Sequence, residues 1–186
     1  GRFVLGIGSG WFERDYTEYG YEFGTAPERL RALRRDLPLI QDRLAKLTPG
    51  PKGPLPILIG GSGERVTLKI VAEFADAWNT FGPPEHFAAK NAVLDEWCAK
   101  VGRDPRAIER TVAIGAHEVD DWERFIEAGA DSLSIPANPR RPPPVLTTSW
   151  KNTCSRARRR FSWLMSPIWI MPSMPSPRST KAAAWS

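Results

Sequence analysis

The chain has 186 residues, 41% of them hydrophobic and 25% charged, with a formal net charge of +5. That is enough for one ordinary domain. Two cysteines, Cys98 and Cys154, exclude a disulfide framework and any zinc spacing, no apolar run reaches the length of a membrane span, and the opening GRFVLGIGSG lacks the form of a secretory leader.

A cytoplasmic protein with no metal and no membrane partner is therefore expected. The charge is unevenly spread. Nine Lys and Arg and no acidic residue lie from Ala137 to Ser186, which leaves 17 basic against 21 acidic residues in 1–136. A nucleic-acid partner would have to rest on a tail without an ordered motif, so none is expected.

In chain order, Arg2 to Ile7 predicts a strand that runs straight into Gly8-Ser9-Gly10-Trp11. Phe12 to Thr25 is polar and aromatic and reads as a long loop with a helical turn; loops of that length at strand ends often carry function. Ala26 to Leu47 has Leu30, Leu33, Leu37, Ile40, Leu44 and Leu47 at spacings of three and four, a helix with Thr25 as its cap and Pro27 and Glu28 in its first turn. Pro38 predicts a kink or break near Asp36-Leu37, and the charged face reads as solvated surface. Thr48 to Pro54 is a loop.

The next stretch, PLPILIGGSGERVTLKIVAEFADAWN, organises the rest. Leu55 to Ile59 is a short apolar run suited to a strand buried on both faces. Gly60-Gly61-Ser62-Gly63 follows, with glycines that let backbone amides approach a bound group and Ser62 as the expected N-cap of a helix over Glu64 to Phe74. Ala75 to Asn79 predicts the next strand. A strand feeding a helix through such a turn is an anion site, most often for phosphate, although many glycine turns bind nothing. Neither the Walker pattern nor the dinucleotide fingerprint is present.

Glu85 to Val101 predicts another helix, with Phe87, Asn91, Leu94, Cys98 and Val101 on one face and Gly102 at its end. Cys98 then reads as a buried apolar filler and not a nucleophile. Glu109 to Ile114 predicts a strand, Asp120 to Ala128 a helix and Asp131 to Ile135 a last strand. His86 and His117 are isolated and read as surface or helix-end residues.

Every strand is followed by a helical crossover, which demands a parallel sheet. The fold class is α/β, and five such strands fit part of a (β/α)8 barrel or a doubly wound sheet. In both, ligands sit at the carboxyl ends of the strands. Gly8-Ser9-Gly10-Trp11, Gly60 to Gly63 and Asn79-Thr80 would share that rim.

GRFVLGIGSGWFERDYTEYG, PILIGGSGERVTLKIVAEFADAWN and KVGRDP together resemble the carboxyl-terminal half of luciferase-like monooxygenases. The similarity is greatest to the actinobacterial subgroup thought to use coenzyme F420, and it runs from Gly1 to about Ile135. It implies the last five strands of a (β/α)8 TIM-type barrel over 1–136. It also implies a flavin- or F420-dependent oxidoreductase or monooxygenase acting on a small-molecule substrate, with FMN as the alternative cofactor. By resemblance Gly60, Gly61, Ser62 and Gly63 take the cofactor phosphate. Gly8, Ser9, Gly10 and Asn79 line the cofactor, and Trp11 and Glu13 face cofactor or substrate unless they only pack the loop. No catalytic residue is assigned.

The family's first barrel strands have no counterpart in these residues, which leads us to expect a fragment with open strand edges, prone to self-association. The alternative function is a catalytically inactive partial barrel that at most binds a phosphate-bearing cofactor. Residues 137–186 form an irregular tail with eight of the 18 prolines and four of the eight tryptophans. Disorder explains its Pro, Ser and Arg but not its Trp. A frame shift explains both: codon degeneracy lets SWKNTCS be read two bases along as MEEYMF, a string typical of folded protein.

Overall fold

The computed structural model describes residues 3–115 and 117–135. The tail from 137 onwards, with its expected disorder or frame shift, lies outside the described residues. Five strands, β1 (Leu5–Ile7), β2 (Ile57–Gly60), β3 (Ala77–Thr80), β4 (Glu109–Ala113) and β5 (Ser132–Ser134), form one sheet. Its order is β1-β2-β3-β4-β5 and every pair is parallel. The order never reverses, so the sheet has no topological switch point. That removes the doubly wound alternative and leaves consecutive units of a (β/α) barrel.

The connections are α1 (Glu13–Glu18) and α2 (Ala26–Ala45) after β1, α3 (Thr67–Phe74) after β2, α4 (Pro84–Val101) after β3 and α5 (Trp122–Glu127) after β4. The expected loop over Phe12 to Thr25 thus holds a helix of six residues, α1, around buried Tyr16. Residues in register share a face of the sheet. Leu5, Ile7, Ile57, Ile59, Trp78, Val112 and Leu133 fall on the face that packs against Leu33 and Leu37 of α2, Leu68 and Val71 of α3, and Phe87, Leu94 and Cys98 of α4. The opposite face carries Leu58 and otherwise small or polar residues. Gly60, Asn79, Thr111 and Ser132 stand side by side across β2 to β5.

Neither a break at Pro38 nor a cap by Ser62 is found. Helix α2 runs without a break through Pro38. Pro38 is exposed while Asp36 and Leu37 are buried. Burial of Leu33 and Leu37 holds the helix across the missing N–H, so tertiary packing overrides the proline. Helix α3 begins at Thr67 and not at Glu64; its N-cap is Val66, and Ser62 caps nothing. The Leu68 amide instead donates to the Gly63 carbonyl at 3.0 Å, so residues 63–66 form a wider turn before the helix proper.

Other local signals act as read. At the start of α2 the Glu28 carboxylate accepts from the Thr25 amide at 2.8 Å and the Thr25 hydroxyl at 2.7 Å, within a capping box between the two residues. Gly102 closes α4 in the left-handed region at φ 71°. Cys98 is fully buried, and burial pushes its thiol up.

Candidate functional site

The carboxyl ends of β1, β2 and β3 lie next to one another, and three short segments continue from them. The Gly61 amide donates to the Asn79 carbonyl at 3.0 Å. Its carbonyl accepts the indole N–H of Trp78 at 2.8 Å. Trp78 is fully buried and stacks on Phe87, ring centroids 5.4 Å apart. The glycine turn is therefore anchored from below by a rigid aromatic pair of the core. Gly61 has φ 126°, a conformation closed to side chains, and a Cβ on Gly63 would meet the Thr67 hydroxyl at 2.7 Å. Gly61 and Gly63 are exposed and Ser62 half-buried. The result is a side-chain-poor loop pinned at its base and open at its rim, as a backbone cradle for an anion requires.

On the neighbouring strand Gly8 is buried, and Ser9 and Gly10 are half-buried. Gly10 turns at φ 69°, and a side chain there would collide with the Tyr16 phenol. The Gly10 carbonyl accepts from Arg29 Nε at 2.7 Å, and the same guanidinium donates to the carbonyls of Phe23 at 3.1 Å and Gly24 at 2.9 Å. It also lies 3.7 Å from the centroid of the Phe23 ring, which meets Tyr16 edge-on. Burial raises the Tyr16 pKa against the opposing charge of Arg29. Arg29 is thus not part of a solvated face; it ties both ends of the loop after β1 to α2. Trp11 and Glu13 stand outside this knot, both exposed, with Trp11 at 71%.

On β3, Asn79 donates from Nδ2 to the Thr111 hydroxyl at 2.8 Å, and that hydroxyl donates to the Trp78 carbonyl at 2.8 Å. The amide plane of Asn79 is fixed in the row it shares with Gly60. Sequence reasoning missed Thr111, although a polar residue between Arg110 and Val112 in a strand was a signal that the second face is not apolar. It also missed Lys90 of α4, whose ammonium lies 2.6 Å from the Glu64 carboxylate. The indole N–H of Trp97 donates to the Glu64 carbonyl at 2.7 Å. The hydrogen bond and charge of Lys90, with His86 and Arg65 nearby, hold the Glu64 carboxyl below its ordinary range.

The sequence model of luciferase-like monooxygenases matches residues 1–134. The chain belongs to the luciferase-like monooxygenase family. Two solved structures are similar to this luciferase-like chain. One is an F420-dependent secondary alcohol dehydrogenase in complex with an F420–acetone adduct, with 17% identity, 62% of this chain and 40% of that chain covered, and a TM-score of 0.56. The other is a coenzyme F420-dependent tetrahydromethanopterin reductase from Methanopyrus kandleri, at 18% identity, 62% and 42% coverage and a TM-score of 0.40. The first establishes a shared fold, so the sheet described above is part of a luciferase-like (β/α)8 barrel. The chain spans about two fifths of the length of either structure. Among the curated proteins none matches it. No described helix is long and apolar enough to cross a membrane, and among the described residues no cluster of His, Cys, Asp or Glu is arranged to hold a metal ion.

Proposed function

We propose that this luciferase-like chain supplies the phosphate cradle and one flank of the cofactor cleft of a flavin- or deazaflavin-dependent oxidoreductase. Coenzyme F420 is the cofactor, with FMN as the alternative, and the substrate is a small molecule. The observation that carries this reading is the Gly61-Ser62-Gly63 segment at the carboxyl end of β2, anchored by the Trp78 indole and with exposed glycines on both sides of Ser62. The Gly61 amide is committed to the Asn79 carbonyl, which leaves the Ser62 and Gly63 amides, at the end of a parallel strand, as the donors suited to an anion. The F420-bound dehydrogenase of the same fold supports F420 over FMN. Gly8, Ser9 and Gly10 flank the cleft on β1, and Asn79 faces it from β3, oriented by Thr111. Trp11 and Glu13 are the candidates to meet substrate, because both stand exposed on the same rim. The bound cofactor would supply two-electron chemistry at its ring; the chain binds, orients and shields it.

Titration of the 186-residue protein with F420 and with FMN, followed by fluorescence, tests this. Because Gly61 sits at φ 126°, any side chain there strains the backbone, so the informative change is at Ser62. Ser62→Asp places a carboxylate in the cradle and should abolish most binding, with circular dichroism unchanged. Undiminished binding by Ser62→Asp would move the phosphate elsewhere. The chain covers 40% of the dehydrogenase, which favours as the second reading a barrel portion that binds cofactor without turnover. Binding with no accompanying oxidation or reduction of the cofactor would single that reading out.

A further inference from the structure

Asn79 stands in the row Gly60, Asn79, Thr111, Ser132, on the face of the sheet turned away from the helices. A side-chain amide can present a donor or an acceptor, and the hydrogen bonds beneath this one decide which. The Thr111 hydroxyl lies 2.8 Å from the Trp78 carbonyl and 2.8 Å from Asn79 Nδ2. A hydroxyl has one proton and a carbonyl can only accept, so that proton goes to Trp78. Toward Asn79 the hydroxyl is therefore an acceptor, and Nδ2 has to face it. The reverse orientation would take this bond from the Trp78 carbonyl at a place where Thr111 is 5% exposed. Asn79 Oδ1 is left with no hydrogen-bond partner among the described residues, on a half-buried side chain.

The two sides of Asn79 differ. Thr111 and Ser132 are buried. On the other side Gly60 brings no side chain, and Gly6 and Leu58, in the next row of the same face, are half-buried as Gly60 and Asn79 are. Neighbouring strands are about 4.8 Å apart, so β1 to β3 offer a backbone and leucine floor roughly 10 Å wide, with an oriented acceptor at one edge. A flat apolar surface with one fixed polar group suits a planar heterocycle. Nδ2 keeps a second proton beside Oδ1, so the free edge of the amide complements a ring N–H next to a carbonyl.

We propose that Asn79 Oδ1 accepts the ring N–H that lies between two carbonyls at the edge of the flavin or deazaflavin ring, with Thr111 as the positioning residue that holds the acceptor toward the cleft. This rests on the reading of the cleft as a cofactor site and does not depend on the glycine turn. A ring edge without that N–H sets a bare acceptor against Oδ1, so the contact selects by chemistry as well as by shape.

Fluorescence titration of the 186-residue protein with F420 and with FMN, each compared with its derivative methylated on that nitrogen, reads the contact. In the parent, methylation should weaken binding about tenfold. Asn79→Ala should bind the unmodified cofactor about five- to tenfold more weakly and respond to methylation by about twofold or less, as a directly interacting pair requires. Thr111→Val leaves the amide free to turn and should lose part of the discrimination, while Thr111→Ser keeps it. Circular dichroism checks folding, and the two Thr111 variants carry the test if Asn79→Ala does not fold. An equal methylation effect in the parent and folded Asn79→Ala, equal discrimination by Thr111→Val and Thr111→Ser, or no methylation effect in the parent overturns the proposal. Ser62→Asp separates it from the phosphate reading. If that variant binds as the parent does while Asn79→Ala loses discrimination, the cradle fails and the ring contact stands. If it loses binding while methylation is felt equally with and without Asn79, the cradle stands and the ring edge lies elsewhere. No binding of either cofactor by the parent at millimolar concentration overturns both.

Discussion

Single residues hold the rim in shape from beneath. Trp78 has the largest such part, because its buried indole combines core packing with one directional contact to the Gly61 carbonyl. Trp78→Phe keeps the ring stack on Phe87 but leaves that carbonyl without the indole. It should cost about 1–2 kcal/mol in denaturant unfolding and weaken cofactor binding more than a distant substitution of equal cost. Ser62 gives the contrasting case. It caps no helix, so Ser62→Ala should leave stability within about 0.5 kcal/mol of the parent and show its effect only in binding. Cys98 is fully buried with its thiol pushed up by burial. Peptide mapping after iodoacetamide treatment of the native protein at neutral pH should therefore find it unmodified, and modified once the chain is unfolded. Glu28 sets a pH dependence. Its hydrogen bonds from Thr25 lower its folded pKa, so the stability it adds is fully present above the unfolded value, about 4.3, and is lost as pH falls through the lower folded value. The stability gap between the parent and Glu28→Gln should be flat above that range and close below it.

Among the elements, α2 shows how packing overrules local preference. Pro38 is exposed within a continuous helix, so its replacement removes no buried surface and restores a helical N–H. Pro38→Ala should stabilise the protein by about 1–3 kcal/mol, seen as a raised thermal midpoint; a lowered one would mean that the proline shapes the helix in a way the fold needs. The starts of two strands repeat one device. Asp76, just before β3, accepts the Ile57 amide of β2 at 2.9 Å, and Asp131, just before β5, accepts the Arg110 amide of β4 at 2.9 Å. Each follows a fully buried alanine, Ala75 and Ala130. These contacts lie at the amino ends of the strands, away from the rim, and serve stability.

At the scale of the whole molecule, β1 and β5 each pair on one side only among the described residues. Their outer N–H and C=O groups can template further pairing. The 186-residue chain should therefore associate with itself, and sedimentation velocity should show a mass that rises with concentration. A sharp monomer across the accessible range would show instead that the edges are covered. The paired faces also divide the labour of the fold. The helix-side face, apolar apart from Thr80 and Arg110, supplies the core, while the other carries Gly60, Asn79, Thr111 and Ser132 in one row, a surface suited to a ligand.

The sequence alone determined the order of elements, the parallel sheet and the glycine rim, because hydrophobic period, proline and glycine act within a few residues of themselves. The five strands and the helices Ala26–Ala45 and Pro84–Val101 lie within a few residues of where the pattern put them, and Gly102 ends its helix for a reason contained in one residue. The motifs along 1–105, taken together and not any one alone, were enough to point to the luciferase-like family. The element pattern left barrel and doubly wound sheet open and the family resemblance implied the barrel; the tertiary structure settled it through the strand order, which depends on which edges meet and not on any local signal. It alone carried α2 across Pro38, moved the start of α3 to Thr67, turned Arg29 from a surface charge into a loop anchor, and set Lys90 against Glu64 across 26 residues of chain. Apart from the start of α3, which goes with the local Leu68–Gly63 hydrogen bond, each of these depends on segments far apart in sequence, and its free energy exists only once the sheet has brought those segments together.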